Sequence, residues 1–330
     1  MFNQQILHLA KKIIGDHYLP SYEESCALAR LPETETFDLL ACAGKITQHF
    51  KEDHVTLCAI LNAKSGFCTE DCAFCAQSAH HRTGISTYDL KTEAFMVADA
   101  RERQIAGATR FSMVTSGLTL TDEEIKTICR SAERISRDTA VTVCASVGTI
   151  TSERAQALKA SGVSVYHHNL ETARSFFHEI CSTHAYEDDI NTLKRAKKAG
   201  LRICSGGILG LGETWEQRVE LACTLRDLDV DGIPLNFLNP IAGTRMENRP
   251  VLSPMDALKS IALFRFVNPD RDIFICGGRE LILKDFQSWI FLAGANGFMV
   301  GNYLTTQGRN TGMDMEIVRA LNLKPSLSET

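Results

Sequence analysis

What most constrains the fold of this chain is a pattern that recurs eight times: a short apolar run, a polar loop and an amphipathic helical stretch. The runs are TLCAIL (56–61), RFSMVTSG (110–117), AVTVCASVG (140–148), SVYHHNLE (164–171), RICSGGILG (202–210), GIPLNFLNP (232–240), DIFICGG (272–278) and GFMVGN (297–302). Between them lie helix-like segments such as KTEAFMVADARERQIAG, TDEEIKTICRSAERI and SPMDALKSIALFRFV, of which TDEE and SPMD read as N-cap starts. Strands alternating with helices imply parallel βαβ units. Eight of them predict an α/β fold, a (β/α)8 TIM-type barrel. A doubly wound open sheet is the alternative, because counting strands does not establish closure.

Residues 1–50 read as an N-terminal helical extension, as in TFDLLACAGKITQHF, with apolar positions at helical spacing. The barrel then occupies residues 51–302, and residues 303–330 form a C-terminal segment capping it. The tail from Lys324, KPSLSET, reads as a frayed terminus.

The formal charge of -5 and pI near 6.1 give no basic footprint for nucleic acid or an anionic membrane surface. MFNQQILHLAKKIIGDHYLP has neither a long apolar core nor a small-residue cleavage site, so no secretory signal is read there. The richest apolar stretch, WIFLAGANGFMVGNYL, is broken by glycine and asparagine, and no membrane span is expected. Twelve cysteines without a leader predict reduced thiols in the cytoplasm, used for packing or metal.

Three of those cysteines crowd into KSGFCTEDCAFCAQS (64–78), just after the first strand, spaced C-x3-C-x2-C. In a barrel that loop belongs to the face where functional groups gather. A single cysteine is usually a packing residue, but three in one loop argue for metal. Zinc would need a distant fourth ligand. A 4Fe–4S cluster normally takes four thiolates, so Cys68, Cys72 and Cys75 would leave one iron open to a small molecule.

C-x3-C-x-aromatic-C resembles the signature of radical S-adenosylmethionine enzymes, and GFCTEDCAFCAQS is similar to the version in the biotin synthase family. The resemblance continues through YHHNLET, CSGGILGLGE, IPLNFLNPIAGT, GGRE, FLAGANG and GNYLTT. It implies that S-adenosylmethionine chelates the open iron through its amino and carboxylate groups. One electron then cleaves the sulfonium to methionine and a 5′-deoxyadenosyl radical. Phe74 takes the aromatic position, expected near the adenine. The segment 206–213, with Gly206, Gly207, Ile208 and Gly210, corresponds to the adenine-contacting stretch, although a glycine-rich loop alone could be only a tight turn.

In SVYHHNLET, strand alternation puts His167, Asn169 and Glu171 on one face and Tyr166 and His168 on the other. The two adjacent histidines therefore cannot jointly chelate a metal, and His168 reads as a hydrogen-bonded core residue. The resemblance places Asn169 between cofactor and substrate and Glu171 toward the ribose hydroxyls. It places Asn236 at the ureido ring of the substrate, with a buried amide paired to backbone as the alternative. Thr305 and Thr306 would hold the substrate's carboxylate tail.

Members of the family carry a second, 2Fe–2S cluster on three cysteines and an arginine. The aligned positions here are Ser112, Cys144, Cys204 and Phe274, so two of the four ligands are missing. Cys276, two residues beyond Phe274, faces the same side of its strand. Cys144, Cys204 and Cys276 are therefore the expected auxiliary ligands, with Ser112 a poor fourth, and a three-cysteine cubane is one form the cluster could take. Cys26, Cys42, Cys58, Cys129, Cys181 and Cys223 match no ligand position and read as packing or surface residues. His167, where asparagine is usual, and Asp189, where an arginine is expected near the cofactor, are further departures.

The resemblance implies radical insertion of sulfur into dethiobiotin, with the auxiliary cluster as sulfur donor. The implied partners are dethiobiotin, a reducing donor such as flavodoxin or ferredoxin, and a second copy in a homodimer. A related radical enzyme of the hydrogenase-maturase or methylornithine synthase type is the nearest alternative, because those chemistries consume no sulfide. A non-catalytic iron–sulfur or zinc protein is the alternative from another class.

Overall fold

The structure, a computed structural model, describes residues 2–326. Its strands are β1 (His54–Lys64), β2 (Arg110–Thr115), β3 (Thr142–Ser146), β4 (Val165–His167), β5 (Arg202–Cys204), β6 (Gly207–Leu209), β7 (Gly232–Phe237), β8 (Asp272–Ile275), β9 (Gly297–Met299) and β10 (Lys324–Pro325). Each of the eight apolar runs contributes its strand. β1 pairs in parallel with β2 on one side and with β9 on the other, in the register Ile60↔Ser112 and Cys58↔Met299. That last pairing closes the sheet and decides for the barrel over the open sheet. The fifth stave is interrupted at Ser205–Gly206, and β5 and β6 pair in turn with β7.

Parallel strands inside a ring of helices are buried on both faces, so their sequences read as continuous apolar runs. β2, β8 and β9 are buried at every position. The helices begin where their capping residues predict. Thr121 and Glu124 form a reciprocal capping box at the helix Asp122–Asp138, and Ser253 caps the helix Pro254–Val267, which has proline in its first turn.

The N-terminal extension forms helices Gln4–Asp16, Tyr22–Ala29 and Thr36–Lys51. The last of them packs on the helix Pro254–Val267, and its Thr47 hydroxyl donates to Gly294 O at 2.8 Å. At the N-terminal ends of β2 and β8, Arg110 and Asp272 form a buried ion pair at 3.1 Å, joined by Lys51 at 3.0 Å from the other carboxylate oxygen. Burial pushes the Asp272 carboxyl up, but the two cations outweigh it and hold it at about 2.

The C-terminal segment crosses the opposite mouth and returns along the barrel. Two residues of the GGRE motif tie it down. Arg279, buried, bonds Asp314 at 2.8 Å, and Glu280 accepts from the Tyr303 hydroxyl and from the Arg309 amide. The expected frayed tail is corrected in part: Lys324 and Pro325 pair in parallel with His54 and Val55, while residues 327–330 lie outside the described residues. Among the described residues no helix is long and apolar enough to cross a membrane.

Candidate active site

A cavity of about 240 Å³ opens at the C-terminal ends of the strands. Phe74, Cys75, Ala76 and Gln77 of the cysteine loop form one wall. His167, Asn169 and Glu171 come from the end of β4 and the loop after it, Ile208 belongs to β6 and Asn236 to β7, and Tyr303 to Thr306 complete the rim. The cavity thus brings together residues that the sequence places on five separate segments.

The cysteine loop is held by its own backbone. Cys68 N–H donates to Gln77 O at 3.1 Å, Ala79 N–H to Cys68 O at 2.7 Å, and Cys75 N–H to Cys72 O at 2.9 Å. Its acidic residues dock on the segment 181–184: Asp71 accepts from the Ser182 amide at 2.8 Å, and Glu70 accepts from Thr183 Oγ1 and His184 Nδ1, each at 2.6 Å. Three soft thiols on one hydrogen-bonded loop are the donor type that an iron–sulfur cluster takes, and of the three Cys75 lines the cavity.

The face assignment around β4 holds. Tyr166 is fully buried away from the cavity, its hydroxyl donating to Gly148 O. His167 Nε2 donates to Asn169 Oδ1 at 2.9 Å, and Asn169 Nδ2 donates to Glu171 Oε2 at 3.4 Å, giving one hydrogen-bonded row along the cavity. Burial, with Asp189 nearby, pushes the Glu171 carboxyl up to about 8, and burial lowers the His167 imidazole. His168, on the opposite side, bonds Asp189 at 2.7 Å, as expected of a core histidine.

Of the glycine-rich segment only Ile208 lines the cavity. Gly206 and Gly207 permit close backbone approach: a Cβ there would collide with Pro234 O or with Glu171 O. Gly210 has φ +93 and serves the turn, where its amide and that of Gly212 donate to Glu213, itself paired with Arg218 at 2.8 Å. The pattern's glycines and glutamate therefore shape the stave rather than line the cavity. Asn236 accepts from the Gly277 amide at 2.9 Å and donates to Gly207 O at 3.3 Å. Its amide is paired to backbone, yet the side chain still borders the cavity.

Below this cavity, toward the N-terminal ends of the strands, lies a second one of about 40 Å³. Ile60, His167 and Met299 line both and form the partition between them. Cys144, Cys204 and Cys276 all face the lower cavity, from β3, β5 and the end of β8. Ser112 faces it too, its buried hydroxyl without a partner among the described residues. Burial pushes the Cys144 thiol up to about 11 and holds Cys204 and Cys276 well above the usual thiol range. A pocket of thiols with an orphaned hydroxyl fits a soft metal cluster.

Of the cysteines expected to be packing or surface residues, Cys58 is placed otherwise, whereas Cys181 is buried in the main core as expected and also meets Cys72. Cys58 faces the lower cavity beside the three thiols, as does Arg110. Cys181 lies 3.8 Å from Cys72, sulfur to sulfur, and 3.3 Å from His184 Nδ1. The Cys72 thiol donating to it, together with His184, holds Cys181 at about 4. Asp189, where an arginine was expected, contacts His168 and, at 3.4 Å, His184 Nε2, so it anchors a histidine pair under the loop. Cys26, Cys42 and Cys223 sit in the main core as expected. No local signal marks Cys58, because β1 is buried on both faces, and nothing local marks Cys181.

Residues 63–225 match the Radical SAM superfamily, and residues 234–324 match the Biotin and Thiamin Synthesis associated domain. The chain is 59% identical to the biotin synthase of Syntrophus aciditrophicus (strain SB), over 94% of this chain and 96% of that protein. It is 52% identical to the biotin synthase of Geobacter metallireducens (strain ATCC 53774 / DSM 7210 / GS-15), over 97% and 98% respectively. Among solved structures, methylornithine synthase superposes with a TM-score of 0.83 at 18% identity, covering 97% of this chain and 98% of that one. The FeFe-hydrogenase maturase HydG from Carboxydothermus hydrogenoformans superposes with a TM-score of 0.81 at 18% identity, covering 98% and 80%. At that identity the two structures speak for the barrel alone, and they do not favour the alternative activities over sulfur insertion.

Proposed function

Since this chain belongs to the biotin synthase family and is an enzyme of that type, we propose that its two cavities divide the work of converting dethiobiotin to biotin. The observation that carries this reading is the shared partition of Ile60, His167 and Met299. A substrate in the upper cavity lies between the Cys68 loop on one side and the thiol-lined cavity on the other. Cys68, Cys72 and Cys75 would hold the 4Fe–4S cluster, and Cys144, Cys204 and Cys276 the auxiliary cluster, with Ser112 beside them.

When bound, the loop cluster and S-adenosylmethionine supply a radical strong enough to break an unactivated C–H bond, and the auxiliary cluster supplies the sulfur. No side chain could take that hydrogen by general-base chemistry, because the carbon is far too weakly acidic. The residues of the chain bind, orient and exclude water. Phe74 and Ile208 offer apolar surface for the adenine. Asn169 and Glu171 face the ribose, and the raised Glu171 carboxyl can donate as well as accept a hydrogen bond. Asn236, held by Gly277 and Gly207, presents a fixed amide to the ureido ring. Thr305 and Thr306, on the strapped C-terminal segment, face the carboxylate tail. Flavodoxin or ferredoxin would deliver the electron, and the working form would be a homodimer in the cytoplasm.

The test is anaerobic reconstitution, with iron and sulfide counted per chain and products analysed in the presence of dethiobiotin. Two clusters per chain and biotin formation are expected. Cleavage of S-adenosylmethionine without biotin, in a chain holding only the loop cluster, would move the maturase-like reading ahead. The variant with Cys68, Cys72 and Cys75 all replaced by alanine should retain the auxiliary cluster.

A further inference from the structure

We infer that Glu70, Cys181 and His184 form a site for one divalent cation of the zinc type, separate from both cavities. Glu70 comes from the cysteine loop, and Cys181 and His184 come from the turn between the helices Arg174–Ile180 and Tyr186–Lys198. A carboxylate oxygen, a sulfur and a ring nitrogen of these three lie within 4.8 Å of one another. None of the three lines the upper or the lower cavity.

Cysteine, histidine and carboxylate are the donors that zinc takes, at bond lengths of about 2.0–2.3 Å that set ligand atoms roughly 3–4 Å apart. His184 Nδ1 and Cys181 Sγ are 3.3 Å apart. His184 Nδ1 and Glu70 Oε2 are closer, at the hydrogen-bond distance of 2.6 Å. A cation entering there takes the place of the shared proton, and the two groups part by less than about 1 Å. Carboxylate and thiolate together neutralise its charge, and the displaced protons leave to solvent. Glu70 and Cys181 are buried, so their ligand atoms are already withdrawn from competing water.

The surroundings are those of a metal site. A histidine that binds a metal usually donates its other ring N–H to a carboxylate, and a carboxylate that binds one is itself hydrogen-bonded. His184 Nε2 faces Asp189 Oδ2 at 3.4 Å, and Asp189 is held from its other oxygen by His168 at 2.7 Å. The Thr183 hydroxyl donates to Glu70 Oε2 at 2.6 Å. Asp189 stands where an arginine was expected; a guanidinium there would repel a cation, whereas a carboxylate orients the histidine. An ion pair between Glu70 and His184 alone would need no sulfur, yet Cys181 touches both His184 and Thr183. The cation would staple the cysteine loop to the segment 181–184.

The experiment reconstitutes the full chain anaerobically with iron and sulfide, desalts it and titrates it with zinc, counting zinc and iron per chain. Cobalt(II) in place of zinc reports a sulfur ligand through its sulfur-to-cobalt charge-transfer absorption. Expected are one zinc per chain without loss of iron, and binding weakened at least about hundredfold in Cys181→Ala and in His184→Ala. Asp189→Asn should weaken it about tenfold. The control Cys223→Ala, in the main core, should leave it unchanged. Where circular dichroism shows an alanine variant unfolded, Cys181→Ser or His184→Gln takes its place. A parent that binds no zinc, zinc bound only as iron is lost, or Cys181 and His184 variants that bind as tightly as the parent would each overturn the site. A failure of the two-cluster reading shows separately, as missing iron, and the Cys181 and His184 comparison still decides the zinc site.

Discussion

The guanidinium carbon of Arg110 lies 5.1 Å from the centroid of the Phe274 ring. Phe274 stands at the position expected to carry an arginine ligand, and the arginine of this barrel comes instead from β2, bonded to Asp272. The cavity therefore keeps a guanidinium although Phe274 stands at the arginine position. Room for the Phe274 ring comes from glycines on both flanking staves. A Cβ on Gly232 would lie 2.7 Å from the ring, and one on Gly297 would lie 2.5 Å from it.

Gly232→Ala and Gly297→Ala should therefore overpack the barrel interior and each destabilise the fold by roughly 1–3 kcal/mol. Urea titration under anaerobic conditions measures this. Midpoints equal to that of the wild type would show that the ring does not pack between those two glycines.

The Arg110–Asp272–Lys51 cluster makes an acid-side prediction. The Asp272 carboxyl titrates near 2 in the folded state against an ordinary 3.8. A lowered folded pKa contributes stability that is present above the ordinary value and is lost as pH falls from about 4 through about 2. Asp272→Asn should flatten that part of the pH–stability curve. At neutral pH it should cost roughly 3–5 kcal/mol, because it leaves Arg110 buried and short of its partner. Thermal melts of both proteins between pH 2 and 7 decide it; parallel curves would remove the role given to Asp272.

Replacing Cys68, Cys72 or Cys75 singly by alanine should abolish reductive cleavage of S-adenosylmethionine while the far-ultraviolet circular dichroism stays that of the folded barrel. The loop stands outside the stave pairing, so the barrel's hydrogen bonds do not depend on it. Deoxyadenosine formed at the wild-type rate by any of the three variants would sink the ligand assignment.

Asn236→Ala should weaken dethiobiotin binding by roughly 1–3 kcal/mol and spare cofactor cleavage more than substrate affinity. It also strips the Gly277 amide of its acceptor, so a fall in melting temperature should accompany the loss of affinity. Collapse of cleavage with unchanged dethiobiotin affinity would reverse the role proposed for this amide.

Much of this molecule was legible because its signals are local. Period-two alternation put His167, Asn169 and Glu171 on one side of β4, and the hydrogen-bonded row along the cavity follows from it. Capping residues such as Thr121 and Ser253 marked helix starts without reference to anything distant. The spacing of the three cysteines in one loop argued for metal without reference to anything distant.

Other features depended on which segments meet. Closure required β1 to pair with β9, a contact that no count of strands contains. Lys324 and Pro325 look like a loose tail until β1 offers them an edge. TLCAIL is apolar throughout because both faces of a barrel strand are buried, so the sequence alone did not say which residues look inward. Cys58 was missed for that reason. Cys181 meets Cys72 across 109 residues of chain, and only the packing of the segment 181–184 under the cysteine loop brings those two sulfurs together. Local periodicity determined the parts and their faces, whereas long-range pairing decided which thiols share a cavity.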